Sequence, residues 1–178
     1  MKHTNIDSLK TLNSASTNLA FAWFMQTCSS EKWCNDMVNK RPFSSLEALR
    51  EHASLQWQKV KVADYLQAFN GHPMIGDIST LREKYANTKV LACNEQSGTE
   101  GADDETLQRL QHTNKIYLDK HGFIFIICAS GLSAQAMLDE LEHRLPNSTD
   151  TEIANAANEQ LKITLLRINK AFTSASAK

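Results

Sequence analysis

The sequence predicts an all-α fold, a single-domain helical bundle of about seven to nine helices spanning residues 1–178. Three observations predict it. Apolar residues recur at spacings of three and four along most of the chain, which is the period of one helix face. Ser, Thr or Asp stands before most of these stretches, where a side-chain oxygen can cap a helix. Only three prolines and six glycines punctuate 178 residues, and most fall between the periodic stretches.

Asp7 is expected to cap a short first helix carrying Leu9 and Leu12. Ser16 or Thr17 opens a second, with Leu19, Ala20, Trp23, Phe24 and Thr27. It is apolar nearly all round, which predicts a central position. Ser29, Ser30 and Glu31 start a third with Trp33, Met37 and Val38 inward, and Arg41-Pro42-Phe43 breaks it. Ser44 or Ser45 starts a short fourth. The fifth is the clearest by spacing: Leu55, Lys59, Val62, Leu66 and Phe69 share one face, and Asn70-Gly71, residues able to take positive φ, ends it.

Residues 81–86 read as a short helix, and 94–101, polar and glycine-punctuated, as a loop. Asp103 caps the next helix, with Leu107, Leu110, Asn114 and Tyr117 on one face and Gly122 at a left-handed end. The run 123–129 is apolar throughout, and periodicity does not separate a buried strand from a buried helix there. With no strand partner in the sequence, it reads as an extended or helical plug. Ser133 caps a helix with Ala134, Met137, Leu138, Leu141 and Leu145 inward, stopped by Pro146-Asn147. The last helix begins near Asp150-Thr151 and runs to about Phe172, with Ala154, Ala157, Leu161, Leu165, Ile168 and Phe172 as its core stripe. Residues 173–178 read as a frayed tail.

Hydrophobic content of 42% and charged content of 22% describe a globular protein rather than a disordered one. A net charge of −1 gives no broad basic field for nucleic acid or anionic lipid. No apolar run is long enough to span a bilayer, so no membrane partner is expected. The N-terminal residues lack the apolar core of a secretion signal, and reduced thiols in a cytoplasm are expected. Cys28, Cys34, Cys93 and Cys128 have no metal or redox spacing; Cys28 and Cys128, beside apolar runs, are expected in the core. His3, His52, His112, His121 and His143 show no metal spacing and read as surface residues, so no metal site is expected.

Chemistry concentrates at Asn70-Gly71-His72-Pro73-Met74-Ile75-Gly76-Asp77. A helix stops there, and Pro73 restricts His72 to an extended backbone. One imidazole on a stiff corner suits acid–base work, and an ordinary tight turn looks the same. Arg167 sits among Ile163, Leu166 and Ile168, where a buried guanidinium needs a carboxylate or an anionic ligand, and a surface arginine is the plainer alternative. Glu95 lies in a loop, where a carboxylate is either solvated or a ligand contact.

Four pieces occur in order: His72-Pro73-Met74-Ile75-Gly76, then Asn94-Glu95-Gln96, then Gly122-Phe123-Ile124-Phe125-Ile126, then Glu159-Gln160-Leu161-Lys162-Ile163 through Arg167. Together with Trp33 and Arg41-Pro42-Phe43, they resemble the 2-oxo-4-hydroxy-4-carboxy-5-ureidoimidazoline (OHCU) decarboxylases of urate breakdown, over nearly the whole chain. The resemblance implies an all-helical fold without cofactor that commonly forms a homodimer. It implies conversion of OHCU, a small-molecule substrate, to S-allantoin with loss of carbon dioxide. By position it implies His72 as the acid–base residue, with Glu95 and Arg167 as catalytic companions. It also implies that Pro73, Ala92, Cys93, Asn94 and Gln96 line the substrate, together with Phe125, Ile126, Ile127, Cys128 and Ala129.

Three positions depart from the family pattern. Ala92 stands where the family often has serine, Ile124 where it often has proline, and Ser130 where it often has a basic residue. Ala92 and Ser130 favour the alternative, a non-catalytic helical binding module on the same scaffold. A metal-dependent hydrolase ranks below both, because the sequence offers no ligand cluster.

Overall fold

Serine hydroxyls set most of the described helix starts. The computed structural model describes residues 6–72 and 104–173, which hold eight helices and no strand. They are α1 (Leu9–Ser14), α2 (Thr17–Thr27), α3 (Glu31–Lys40), α4 (Leu46–Trp57), α5 (Val62–Asn70), α6 (Asp104–His121), α7 (Ala134–Arg144) and α8 (Thr149–Thr173). Ser8, Ser16, Ser30, Ser45 and Ser133 each accept a backbone N–H three residues on. The Ser148 hydroxyl accepts from Thr151 N in the same way at the start of α8. Each such cap is worth about 1 kcal/mol. Asp7, expected as the first cap, is exposed, and Ser8 takes that role.

The chain divides into two compact units, one made of residues 1–72 and 157–178 and the other of 73–156. In the first, α2 packs on α3, and α3 on α4 and α5. Aromatic side chains tie these helices together. Phe24 meets Trp33 edge-on at 5.7 Å, and Trp33 Nε1 donates to the Ala53 carbonyl at 3.0 Å. Trp57 Nε1 donates to the Ala157 carbonyl at 2.8 Å, and Trp23 packs against Phe172 at 5.5 Å. Trp33 is fully buried, and replacing such a ring by alanine costs about 3–5 kcal/mol. Arg41 Nη1 donates to the Leu12 and Ala15 carbonyls, both at 2.7 Å, and so satisfies acceptors that the end of α1 leaves open. The Arg41-Pro42 peptide is cis.

The expected fifth helix is two pieces. α4 runs on to Trp57, and the chain turns through 58–61 before α5 begins. Gln58 N bonds back to Ser54 O and Lys59 N to Gln56 O, closing α4, while Asp64 Oδ2 accepts from Lys61 N and opens α5. Trp57, held by its indole N–H, fixes where the first piece ends. Leu55 and Val62, expected inward, are 52% and 49% exposed, and Lys59 is exposed in the turn; Ala53, Trp57, Ala68 and Phe69 are buried instead.

In the second unit α6 and α7 pack together. Leu107, Leu110, Asn114 and Tyr117 are buried on one face of α6 as their spacing predicts, and Gly122 has φ +79°. Residues 123–129 form neither helix nor strand, with Phe123, Phe125 and Ile126 buried. A buried polar cluster crosses this unit. Arg144 and Glu152, 3% and 0% exposed, form an ion pair at 2.8 Å. Tyr117 Oη donates to Glu152 at 2.6 Å, Arg144 Nη1 donates to the Ile126 carbonyl at 3.1 Å, and the guanidinium lies 4.6 Å from the Phe125 ring centre. Burial alone would raise the Glu152 carboxyl, but hydrogen bonds from Asn147, Tyr117, Arg144 and Asn155 outweigh it and hold it below its ordinary value.

His121 belongs to this core, contrary to the surface expectation. It stands four residues after Tyr117 on the same helix face, its ring lies 4.4 Å from that ring and tilted to it, and Nδ1 lies 3.2 Å from the Thr149 hydroxyl. His52 is half-buried, while His112 and His143 are exposed; His3 lies outside the described residues. The stripe of α8 is also turned from the expected one. Glu152, Ala156, Ala157, Gln160, Thr164 and Ile168 are buried, Ala154 is exposed, and Leu161 and Leu165 are half-buried. Three polar side chains take the inner face because each finds a partner there. Among the described residues no helix is long and apolar enough to cross a membrane, and no group of His, Cys, Asp and Glu has the makings of a metal site.

Candidate active site

The end of α5 delivers His72. Gly71 N bonds to Ala68 O and His72 N to Phe69 O, both at 3.1 Å, so the backbone of the histidine is held by the last turn. Asn70-Gly71 ends the helix as expected, with Gly71 at φ −76° and not in the left-handed region open to it. Its lack of a side chain serves another end: a Cβ at 71 would run into Oγ and Cβ of Ser29. Glycine is there for close approach, which lets the end of α5 lie against the start of α3.

The ring of His72 meets α8. Nε2 lies 2.5 Å from Gln160 Oε1, and Gln160 Nε2 donates to Thr164 Oγ1 at 3.1 Å. The Thr164 hydroxyl donates to the Gln160 carbonyl at 2.9 Å. Burial lowers the His72 pKa from its ordinary 6.5; the bond to Gln160 raises it, and the charge of Arg167 lowers it further, with a net fall. The neutral ring is therefore the favoured form at pH 7.

Arg167 lies seven residues beyond Gln160, two turns along the same helix face and about 10 Å along the axis. It is half-buried, and Nη1 donates to the Thr27 carbonyl at 3.1 Å, at the end of α2. It is thus neither the enclosed guanidinium nor the plain surface arginine of the two readings. One backbone carbonyl leaves most of the guanidinium's five donors for other acceptors. Cys28, next along the chain, is fully buried; burial pushes its thiol up to about 11, against the pull of the Ser30 backbone, Thr164 and Arg167. Cys34 is also buried, and its Sγ donates to the Cys28 carbonyl at 3.2 Å.

The first unit thus brings together His72 and Arg167 of the expected site. Pro73, Ala92, Cys93, Asn94, Glu95 and Gln96 lie outside the described residues. In the second unit Phe125 and Ile126 are buried, with the Phe125 ring 5.3 Å from Tyr117. Ile127, Cys128 and Ala129 are half-buried, so Cys128 is less enclosed than expected. Sequence reading missed the bonding role of Gln160 and Thr164. With Arg167 they step by four and three along one helix, but polar residues at that spacing read as a solvated face until His72 is seen against them.

Fold and site define an all-helical protein that presents a neutral imidazole and a permanent cation along one helix face. Residues 13–169 match the family model of the OHCU decarboxylases, and the chain belongs to that family. It is 36% identical over 148 residues to the uric acid degradation bifunctional protein TTL of Arabidopsis thaliana, covering 82% of this chain and 45% of that protein. The chain therefore spans less than half the length of that relative. It is 28% identical to the 2-oxo-4-hydroxy-4-carboxy-5-ureidoimidazoline decarboxylase of Haloferax volcanii, over 76% of this chain and 78% of that one. A crystal structure of OHCU decarboxylase in the presence of (S)-allantoin superposes with a TM-score of 0.71 and 32% identity, covering 86% of this chain and 98% of that one.

Proposed function

We propose that this chain is a carboxy-lyase that converts OHCU to S-allantoin and carbon dioxide in urate degradation. The observation that carries the reading is the His72 ring, neutral and hydrogen-bonded to Gln160, with Arg167 two turns along the same face of α8. Membership of the family supports the choice of substrate.

The substrate names its own chemistry. A hydroxyl and a carboxylate share one ring carbon, beside a carbon that carries the ureido group. As the bond to the carboxylate breaks, its electron pair spreads onto the imine-type ring nitrogen, so the ring itself is the electron sink and no cofactor is required. The hydroxyl proton must then leave, a proton must reach the neighbouring carbon from one face, and the ring nitrogen that received the electron pair takes one further proton from water, the proton that loss of carbon dioxide consumes. His72, neutral at pH 7, is fitted to take the first and return the second. Arg167 grips the anion and stabilises the enolate-like state. Glu95, assigned by the resemblance alone, hydrogen-bonds the ureido or hydroxyl groups. Pro73, residues 92–96 and residues 125–129 are assigned to substrate contact on the same ground.

The reading extends to a homodimer in the cytoplasm. Thiols at Cys28 and Cys34 suit a reducing compartment. Sedimentation at twice the 20.0 kDa of one chain is the expected mass.

The experiment generates OHCU in place from urate and follows S-allantoin by circular dichroism. His72→Asn is expected to keep the helical spectrum and to lose about 10²–10⁴-fold in rate, the range for one acid–base group. Stereoselective turnover at the full rate in that variant defeats the assignment, and absence of turnover in the parent chain favours the binding module.

A further inference from the structure

The bonds around His72 decide which of its nitrogens carries hydrogen. Thr164 donates its hydroxyl proton to the Gln160 backbone carbonyl at 2.9 Å, the usual i to i−4 bond of a helical threonine. With that proton committed, Thr164 Oγ1 can only accept from the Gln160 side chain, and Gln160 Nε2 donates to it at 3.1 Å. The amide is thereby oriented, and its oxygen faces the ring 2.5 Å from His72 Nε2. A side-chain amide oxygen accepts and never donates. The hydrogen of that bond therefore sits on His72 Nε2, and the lone pair of the neutral ring sits on Nδ1. Gln160 and Thr164 are 0% and 2% exposed, so water does not compete for either.

We propose that Gln160, oriented by Thr164, is a positioning residue that holds His72 as the Nε2–H tautomer, so that Nδ1 is the nitrogen that exchanges the proton with substrate. The kinetic part rests on the decarboxylase reading; the tautomer does not. Glutamine suits this position better than the alternatives. A carboxylate there would draw a proton onto the ring and keep it charged. An apolar side chain would leave Nε2–H without an acceptor and release the ring to either tautomer. Arg167 is the charged group that acts on the ring among the described residues, and it too favours the neutral form.

The test compares the parent chain with Gln160→Leu, Gln160→Glu and Thr164→Val, read by ring ¹⁵N shifts and by kinetics. The His72 signals are assigned by their loss in His72→Asn. The parent is expected to give the Nε2–H pattern at neutral pH. Gln160→Leu is expected to mix the tautomers and lower kcat by roughly 10- to 100-fold, the scale of losses when a partner behind a functional histidine is removed, with a smaller change in KM. Gln160→Glu keeps an acceptor and the shape of the site, so it guards against misfolding of the leucine variant. It is expected to move the acid limb of kcat to higher pH and to recover rate on the alkaline side. Thr164→Val frees the amide to turn and is expected to act in the direction of Gln160→Leu. An Nδ1–H pattern in the parent overturns the proposal, as does a folded Gln160→Leu with unchanged ring shifts, kcat and pH profile. An Nε2–H parent that loses this pattern in Gln160→Leu but turns over no OHCU supports the tautomer lock while sinking the reaction.

Discussion

His72 is a histidine whose neutral form the fold favours, and pH exposes that. As pH falls below 6.5 the unfolded chain takes up the proton first, because the folded ring binds it more weakly. The stability this ring contributes is thus full above about 6.5 and declines as pH falls toward the folded pKa. Activity that needs the neutral ring is expected to persist to lower pH than a free histidine allows. The pH dependence of kcat/KM checks this, and an acid limb at or above 6.5 would count against it. At this scale the sequence was partly legible: Asn70-Gly71 marked the end of the helix that carries His72. Gln160 was not legible, because a lone glutamine in a helix carries no sign of what it faces until another part of the chain arrives.

Helices were legible by their caps more than by their stripes. Serine before an apolar stretch marked α2, α3, α4 and α7, since an N-cap is a local bond between near neighbours. The stretch from Leu55 to Phe69 misled because its four-three spacing continues across a break, and spacing does not register a turn. α8 misled for a different reason: its inner face holds Glu152, Gln160 and Thr164, and hydrophobicity patterns rank such residues outward. The junction of α5 with α3 gives a prediction. Gly71→Ala should destabilise the chain by about 1–3 kcal/mol, the range for forcing extra atoms into a packed contact. Ser29→Gly in the same chain removes the two nearest of the three atoms that a Cβ would meet, leaving only the Ala68 carbonyl oxygen at 3.2 Å, and should recover most of the loss. Urea denaturation of the single and double variants measures it; equal loss with and without the second change would mean that backbone conformation, not contact, governs residue 71.

The whole chain depends on burying ions as well as apolar surface. Arg144 and Glu152 sit inside the second unit, and removing one leaves the other charged and enclosed. Glu152→Ala is expected to cost about 3–5 kcal/mol, read as a lower midpoint in urea. Because its folded pKa is depressed from 4.5, Glu152 contributes stability that is complete above about pH 4.5 and is lost as pH falls through the folded value. The parent chain should lose stability over that acid range, and Glu152→Gln should flatten the dependence; an identical acid profile in both would refute it. Composition foretold a globular protein, apolar spacing a helical one, and the ordered motifs its family. Neither foretold an ion pair within the core, since charged letters read as surface until both partners are in view.

Sulfur at position 28 offers one last consequence. It follows Thr27, whose carbonyl anchors Arg167, and it is sealed from solvent as a protonated thiol. An alkylating reagent gains it only when the tail of α2 lifts away. The pace of that labelling counts the excursions in which the guanidinium loses its anchor, so the chain carries a chemical clock beside its proposed catalytic cation.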